Sequence, residues 1–354
     1  MKIKKTEKKF LAILNELLKI PSPPGREEKM AQYIQNKIAE IGFTPEKDSA
    51  GNVIVRIAAK NSAGPLTIMA AHMDEIAMVI TAITPEGDLK VINSGGLTPC
   101  KLGECMVEII TDNDTNIRGL FSMGSAHTAE ARSGQWVPSW NDVCIKTGIT
   151  PAELKAAGVR VGSPVVPIID GRGPYCFGSK DDPMCAAWTF DDRAGIAELL
   201  LVLERLSTAD ISPENPLIFA FTVHEEGGCH GAKYLAFRER PEVFISIDGC
   251  PALEPDGLKI NGCPGTWSKD CLCNYNQYLI KDFIIAAELA GTELQVAVYN
   301  SAASDASAVY NAGLAPRIGF IGHVRTNSHG FELARVSVFY NTINMIFQYI
   351  KEKC

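Results

Sequence analysis

Apolar positions recur with helical spacing at the start of the chain. Residues 7–20 alternate Phe10, Leu11, Ile13, Leu14, Leu17 and Leu18 with Asn15, Glu16 and Lys19, which predicts an amphipathic helix. Pro21-Ser22-Pro23-Pro24-Gly25 reads as a stiff loop. A second helix opens at Glu27 or Glu28, carries Met30, Ile34, Ile38 and Ile41 on one stripe, and stops at Gly42. Strand patterns follow in Asn52–Ala58 and in Leu66–His72. From about Ile76 to Val166 the rhythm changes: short β-like runs (Met78–Ile83, Leu89–Val91, Met106–Ile110, Ile117–Phe121) are separated by Gly, Pro, Asn and Asp turns, the pattern of a small all-β unit. Within it, Thr150-Pro151-Ala-Glu153 predicts a capped short helix ending at Gly158.

After Val166 helices and strands alternate again. Helices are expected at about Gly195–Leu206, Ala232–Arg238, Phe283–Leu289, Ser304–Ala312 and Val336–Tyr349, and strands at Leu217–Val223, Val243–Asp248, Leu294–Val298 and Arg317–Ile321. The fold class is therefore α/β, in two parts (residues 1–75 and 167–354) with an inserted β domain at 76–166. A chain of 354 residues with 46% hydrophobic residues can bury a sizeable core. Its net charge of −7 argues against a nucleic-acid partner bound by phosphate neutralisation. The basic start is followed by polar residues inside the apolar run, which excludes an export signal, and no stretch suits a bilayer; a cytoplasmic location is the expectation. The eleven cysteines are scattered, and none is assigned to metal binding or nucleophilic chemistry.

Four predicted strand ends carry metal-type ligands: His72 with Asp74, Asp191 with Asp192, Glu225 with Glu226, and Asp248. His329 is a fifth candidate. Strand ends of an open α/β sheet gather at one edge, and clustered carboxylates repel one another unless cations are present. Imidazole and carboxylate together suit zinc or a similar divalent ion. Five ligands fit two metals sharing one carboxylate, with a further Glu left to move protons. Asp74 would then orient the His72 imidazole.

In these motifs the chain resembles the M42 family of metallo-aminopeptidases. The likeness is carried by Pro23-Pro-Gly-Arg-Glu27, Asp48-Ser-Ala-Gly-Asn-Val53, His72-Met-Asp74-Glu75, Phe190-Asp-Asp-Arg-Ala-Gly195, His224-Glu-Glu-Gly227 with Gly231-Ala232, Asp248 and Ser304-Asp-Ala306. Asn141-Asp-Val143 and Gly158–Val165 extend it into the insert. The resemblance implies a mixed central sheet flanked by helices with an inserted small β-barrel. It implies Asp191 as the bridging ligand, His72 and Asp248 completing one site, Glu226 and His329 the other, and Glu225 as general acid/base. It further implies two divalent ions per subunit (zinc or cobalt, with manganese compatible), a cis Asp191–Asp192 peptide, short peptides as substrates, and a homo-oligomer, dimer or dodecamer, built through the insert.

Three features depart from the family pattern. His329 lies one position closer to Glu332 than expected, so His323 stands as the other candidate for the last ligand. The stretch from Cys250 to Cys273 lacks the usual glycine–proline pattern. Ser122–Trp140, with Gly124, Gly134, Trp136 and Pro138, reads as a mobile or an assembly-specific loop. The alternatives are a deacylase or carboxypeptidase on the same metal core, needing an arginine such as Arg325 or Arg193 for a substrate carboxylate, and a non-catalytic metal-binding homologue.

Overall fold

The computed structural model describes residues 5–113, 115–125, 137–253 and 257–354. Gly134 and Trp136 lie outside them. The first part of the chain forms α1 (Lys5–Leu18), α2 (Glu28–Ile41), β1 (Glu46–Lys47), β2 (Val53–Ile57) and β3 (Thr67–His72). There follow β4 (Ala77–Ile83), β5 (Leu89–Ser94), α3 (Pro99–Leu102), β6 (Cys105–Ile110), β7 (Asn116–Ser122), β8 (Cys144–Lys146), α4 (Pro151–Ala156) and β9 (Pro164–Pro167). The remainder is β10 (Tyr175–Phe177), β11 (Met184–Trp188), α5 (Phe190–Ala209), β12 (Leu217–Thr222), α6 (His230–Glu239), β13 (Val243–Pro251) and β14 (Gly265–Lys269). Then come α7 (Gln277–Leu289), β15 (Gln295–Val298), α8 (Asp305–Asn311), β16 (Arg317–Thr326), β17 (Phe331–Arg335) and α9 (Val336–Lys353).

Strands β4, β5, β8, β7, β6 and β9 close into a barrel, filled by Met78, Ile80, Val107, Ile109, Phe121 and Ile145. The other eleven strands form one mixed sheet, in the order β1-β2-β12-β3-β13-β16-β17-β11-β10, with β14 pairing β16 and β15 pairing β14. This is the α/β class with an inserted all-β unit that the patterning predicts, closed into the barrel that the family resemblance implies. Strands β12, β3, β13 and β16 are mutually parallel. Helices cover both faces of such strands, so they read as unbroken apolar runs rather than alternations: all of Leu217–Thr222 and Val243–Cys250 is buried. Helices α1, α2, α5, α7 and α9 pack on one face around Phe190, Phe283 and Phe339. Helices α6 and α8 cover the other, over Ala220, Phe244 and Phe320.

Local signals behaved as physics requires. Gly42 ends α2 with φ +103°, and Thr150 and Glu153 cap α4 reciprocally. Seven strands escaped the patterning: β1, β8, β9, β10, β11, β14 and β17. Each is only two to five residues long, too short for a period to register. Strand β16 runs five residues past the expected end at Ile321. Gly322 reads as a turn, yet it pairs in register with Asp248 on β13. Helix α7 starts at Gln277 rather than Phe283, because the Asn276 side chain caps it by accepting the amides of Tyr278 and Leu279.

Candidate active site

Strand direction brings the candidate residues together. Strands β16 and β11 each run antiparallel to β17, so β11 points the same way as the four central parallel strands. Five C-terminal strand ends therefore open on one edge. His72 is the last residue of β3, Asp191 follows β11, Glu225 and Glu226 follow β12, Asp248 lies in β13, and His329 sits in the turn between β16 and β17.

Among the described residues, four three-residue donor groups form there, one of them made of His72, Glu225 and Glu226, and two share Asp191. In one of these two, a donor atom each from His72, Asp191 and Asp248 lie within 4.8 Å of one another; in the other, so do donors from Asp191, Glu226 and His329. Asp191 belongs to both. His72 Nδ1 lies 3.1 Å from the backbone oxygen of Asp74, and His329 Nδ1 lies 3.1 Å from that of Gly96. A carbonyl only accepts, so both Nδ1 atoms carry hydrogen. The Nε2 atoms then face carboxylates: His72 meets Asp191 Oδ1 at 2.9 Å, and His329 lies 3.6 Å from both Asp191 Oδ2 and Glu226 Oε1. A lone pair against a carboxylate oxygen is held only by an added proton or a cation. The residues present therefore fit divalent metal ions.

The charges show the same demand. Burial, reinforced by Asp191, raises Glu226 to about 8 and Asp248 to about 7. Burial likewise lifts Glu225 well above the carboxylate range; His72 opposes this, and Glu226, Asp305 and Asp248 add to it. Burial alone would raise Asp191 too, but the Arg325 guanidinium and His72 outweigh it and hold Asp191 well below its ordinary value.

Asp74 does more than face His72. Its backbone oxygen and its Oδ1 lie 3.1 Å and 3.5 Å from His72 Nδ1, and its fully buried carboxylate also accepts the amides of Glu225 at 2.9 Å and Glu226 at 3.0 Å. It thereby fixes the loop that carries both acids. Asp192 accepts the amide of His72 at 3.1 Å and that of Gly195 at 3.0 Å. The Asp191–Asp192 peptide is cis, as the family resemblance implied.

The two candidate arginines separate. Arg193 is fully buried and tied to Glu75 and to the oxygens of Met73 and Asp74, away from any substrate. Arg325 lines the cleft but pairs with Asp191 and Glu332. His323, the other candidate for the last imidazole, is fully buried among Phe190, Phe339 and Glu198 and belongs to neither group. His329 is the histidine that faces Asp191 and Glu226. His224 lies at the rim, 3.9 Å from Glu27.

The site opens on a pocket of about 740 Å³ whose far walls include Pro251, Leu253, Trp267, Leu272 and Tyr299. Sequence reasoning missed three contributors: Gly96, Arg325 as a partner of Asp191, and Cys229, whose thiol lies 3.5 Å from Glu225 Oε1. The Gly95-Gly96 pair is the one signal that marked the first.

The M42 glutamyl aminopeptidase family model matches residues 51–345. The chain is 26% identical over 247 residues to the glutamyl aminopeptidase of Lactococcus lactis, a stretch covering 68% of this chain and 66% of that protein. It is 24% identical over 247 residues to the lysyl aminopeptidase of Pyrococcus furiosus, covering 69% and 67%. The TET1 peptidase of Pyrococcus horikoshii, described as assembling into a tetrahedron or a large octahedral shell, superposes with a TM-score of 0.84 at 25% identity, over 97% of this chain and 99% of that one.

Proposed function

The chain belongs to the M42 glutamyl aminopeptidase family of peptidases, and from that premise we propose that it removes N-terminal residues from short peptides at a centre of two divalent cations. The observation that carries this reading is the sharing of Asp191 by two donor groups. His72, Asp191 and Asp248 would hold one ion, and Asp191, Glu226 and His329 the other. Zinc, cobalt and manganese all suit these donors. When bound, such ions supply a Lewis acid for the scissile carbonyl and lower the pKa of water to near neutrality.

Glu225 belongs to neither of the two groups that share Asp191, and its raised affinity for a proton suits a carrier. It takes a proton from the attacking water and returns it to the leaving amine. Asp74 holds Glu225 and Glu226 in register through their amides. The pocket beyond them receives the side chain of the departing residue.

Arg193 is committed to Glu75, and Arg325 pairs with Asp191 and Glu332 with only its Nη1 left unpartnered among the described residues; this favours the reading over a deacylase or carboxypeptidase, which needs a guanidinium free to fork onto the substrate carboxylate. Assembly is part of the proposal: the barrel (residues 76–166 of the inserted domain) exposes Ile92, Met106 and Leu120, suited to a contact with a second copy. All eleven cysteines are free, in keeping with a reducing cytoplasm.

Aminoacyl anilides and their N-acylated counterparts, assayed with added zinc, cobalt or manganese, test the reading. Hydrolysis of free-amine substrates alone, abolished by chelator, is expected. No amino-terminal hydrolysis on any substrate, or preference for the blocked ones, would overturn it.

A further inference from the structure

Beside the proposed centre lies a further group of donors, the one group that contains sulfur among the described residues. Cys229 stands just before α6 with φ +56°, a left-handed conformation uncommon outside glycine. That backbone places Sγ 3.5 Å from Glu225 Oε1. On its other side is Asp305, only 3% exposed. Asp305 Oδ2 accepts the Thr222 hydroxyl at 2.6 Å, while Oδ1 is buried with no hydrogen-bond partner. One donor atom each from Glu225, Cys229 and Asp305 lie within 4.8 Å of one another.

We infer that Glu225, Cys229 and Asp305 form a separate thiolate-containing site that captures a soft divalent ion, cadmium or zinc in excess, and thereby withdraws Glu225 from proton transfer. The occupancy of this site stands on its own geometry; its inhibitory consequence rests on the role proposed for Glu225.

The donor set differs from the two groups around Asp191 by its sulfur, which selects soft ions. The orphaned Asp305 oxygen supplies a hard donor already stripped of water, whose desolvation cost a cation would offset. Cys229 lines the same pocket as Glu225, so an ion arriving from solvent can reach it. Binding displaces the thiol proton to solvent as the sulfur–metal bond forms. Burial and the two flanking carboxylates hold the thiol protonated otherwise.

The test uses the full chain loaded with cobalt and freed of excess, as wild type, Cys229→Ala and the near-isosteric Cys229→Ser. Cadmium alone is titrated in, reading bound cadmium by equilibrium dialysis, the ultraviolet sulfur-to-cadmium band, and peptidase rate. Wild type is expected to bind one more cadmium than either variant, with a stronger band. Its rate should fall about a hundredfold as that ion binds, the scale of losing a general base, while both variants resist. Equal cadmium binding and equal bands in all three proteins would overturn the inference, whatever the other cysteines contribute. The binding readouts do not depend on activity, so an inactive protein that shows the extra ion would refute the peptidase reading alone.

Discussion

The backbone carbonyl of Gly96 accepts the Nδ1 hydrogen of His329 across 233 residues of chain, at 3.1 Å. The contact joins the segment between β5 and α3, within the inserted barrel domain, to the loop between β16 and β17. It also explains the glycine: a Cβ at position 96 would fall 2.2 Å from His329 Nδ1, with no room for both.

Gly96→Ala should therefore displace the imidazole and weaken the ion held with Asp191 and Glu226. Loss of an orienting partner costs roughly 10–100-fold in metal affinity. Titrating metal against rate in the variant would read the loss. An unchanged metal requirement would separate Gly96 from the function of His329.

Glu225→Gln preserves size and hydrogen bonding but cannot carry the proton. The turnover number should fall by about 10²–10⁴, with two bound ions retained by elemental analysis. Since neither donor group around Asp191 includes Glu225, metal loss in this variant would point instead to a ligand role.

How much of this was readable in advance varies by element. The parallel strands were legible because burial on both faces makes them continuous apolar runs, and their polar tips stood out against that background. Short strands β11 and β17 were not, although β11 leads directly to Asp191 and β17 fixes the direction of both neighbours. Arg325 was legible only as a candidate for a substrate carboxylate; its pairing with Asp191 was not, because the strand pattern ends at Ile321 and only pairing with β13 carries β16 onward. The contact of Asp74 with the His72 imidazole was legible from their spacing, and Asp74 Oδ1 lies 3.5 Å from His72 Nδ1. Its second task was not, because the amides it accepts arrive from a loop 151 residues away, which no local pattern encodes.

The last imidazole can be assigned by metal content. His329→Ala should hold one ion fewer than wild type. His323→Leu should keep both ions, since His323 is enclosed by Phe190 and Phe339 and faces Glu198 rather than Asp191. The reverse outcome would move the ligand to His323.

Asp74→Asn replaces a carboxylate that accepts two buried amides by a group with one accepting oxygen. One amide then loses its partner, which costs about 1–3 kcal/mol of stability. Because the lost contact positions Glu225 and Glu226, the turnover number should drop more than KM rises. A variant with normal turnover and only lowered thermal stability would reduce Asp74 to a structural role.

Metal-free protein should lose stability as pH rises through neutrality. In the fold, burial raises Asp305 to about 6, Asp248 and Glu332 to about 7 and Glu226 to about 8; unfolded carboxyls titrate near 4. Groups raised in this way contribute fully at a pH below their unfolded value. Their contribution vanishes as pH climbs through the folded values, where the buried acids must ionise against one another. Asp191 and Glu75, held below their ordinary values, act oppositely but only in acid, below about pH 4. Between pH 5 and pH 9, on the order of 5 °C should be lost from the melting temperature of chelated protein. Added zinc or cobalt should reverse the slope, because the ions displace those protons and neutralise the acids, most strongly at the alkaline end. Calorimetry across that range with and without metal measures both trends; a metal-free melting temperature that rises with pH would contradict the assigned charge states.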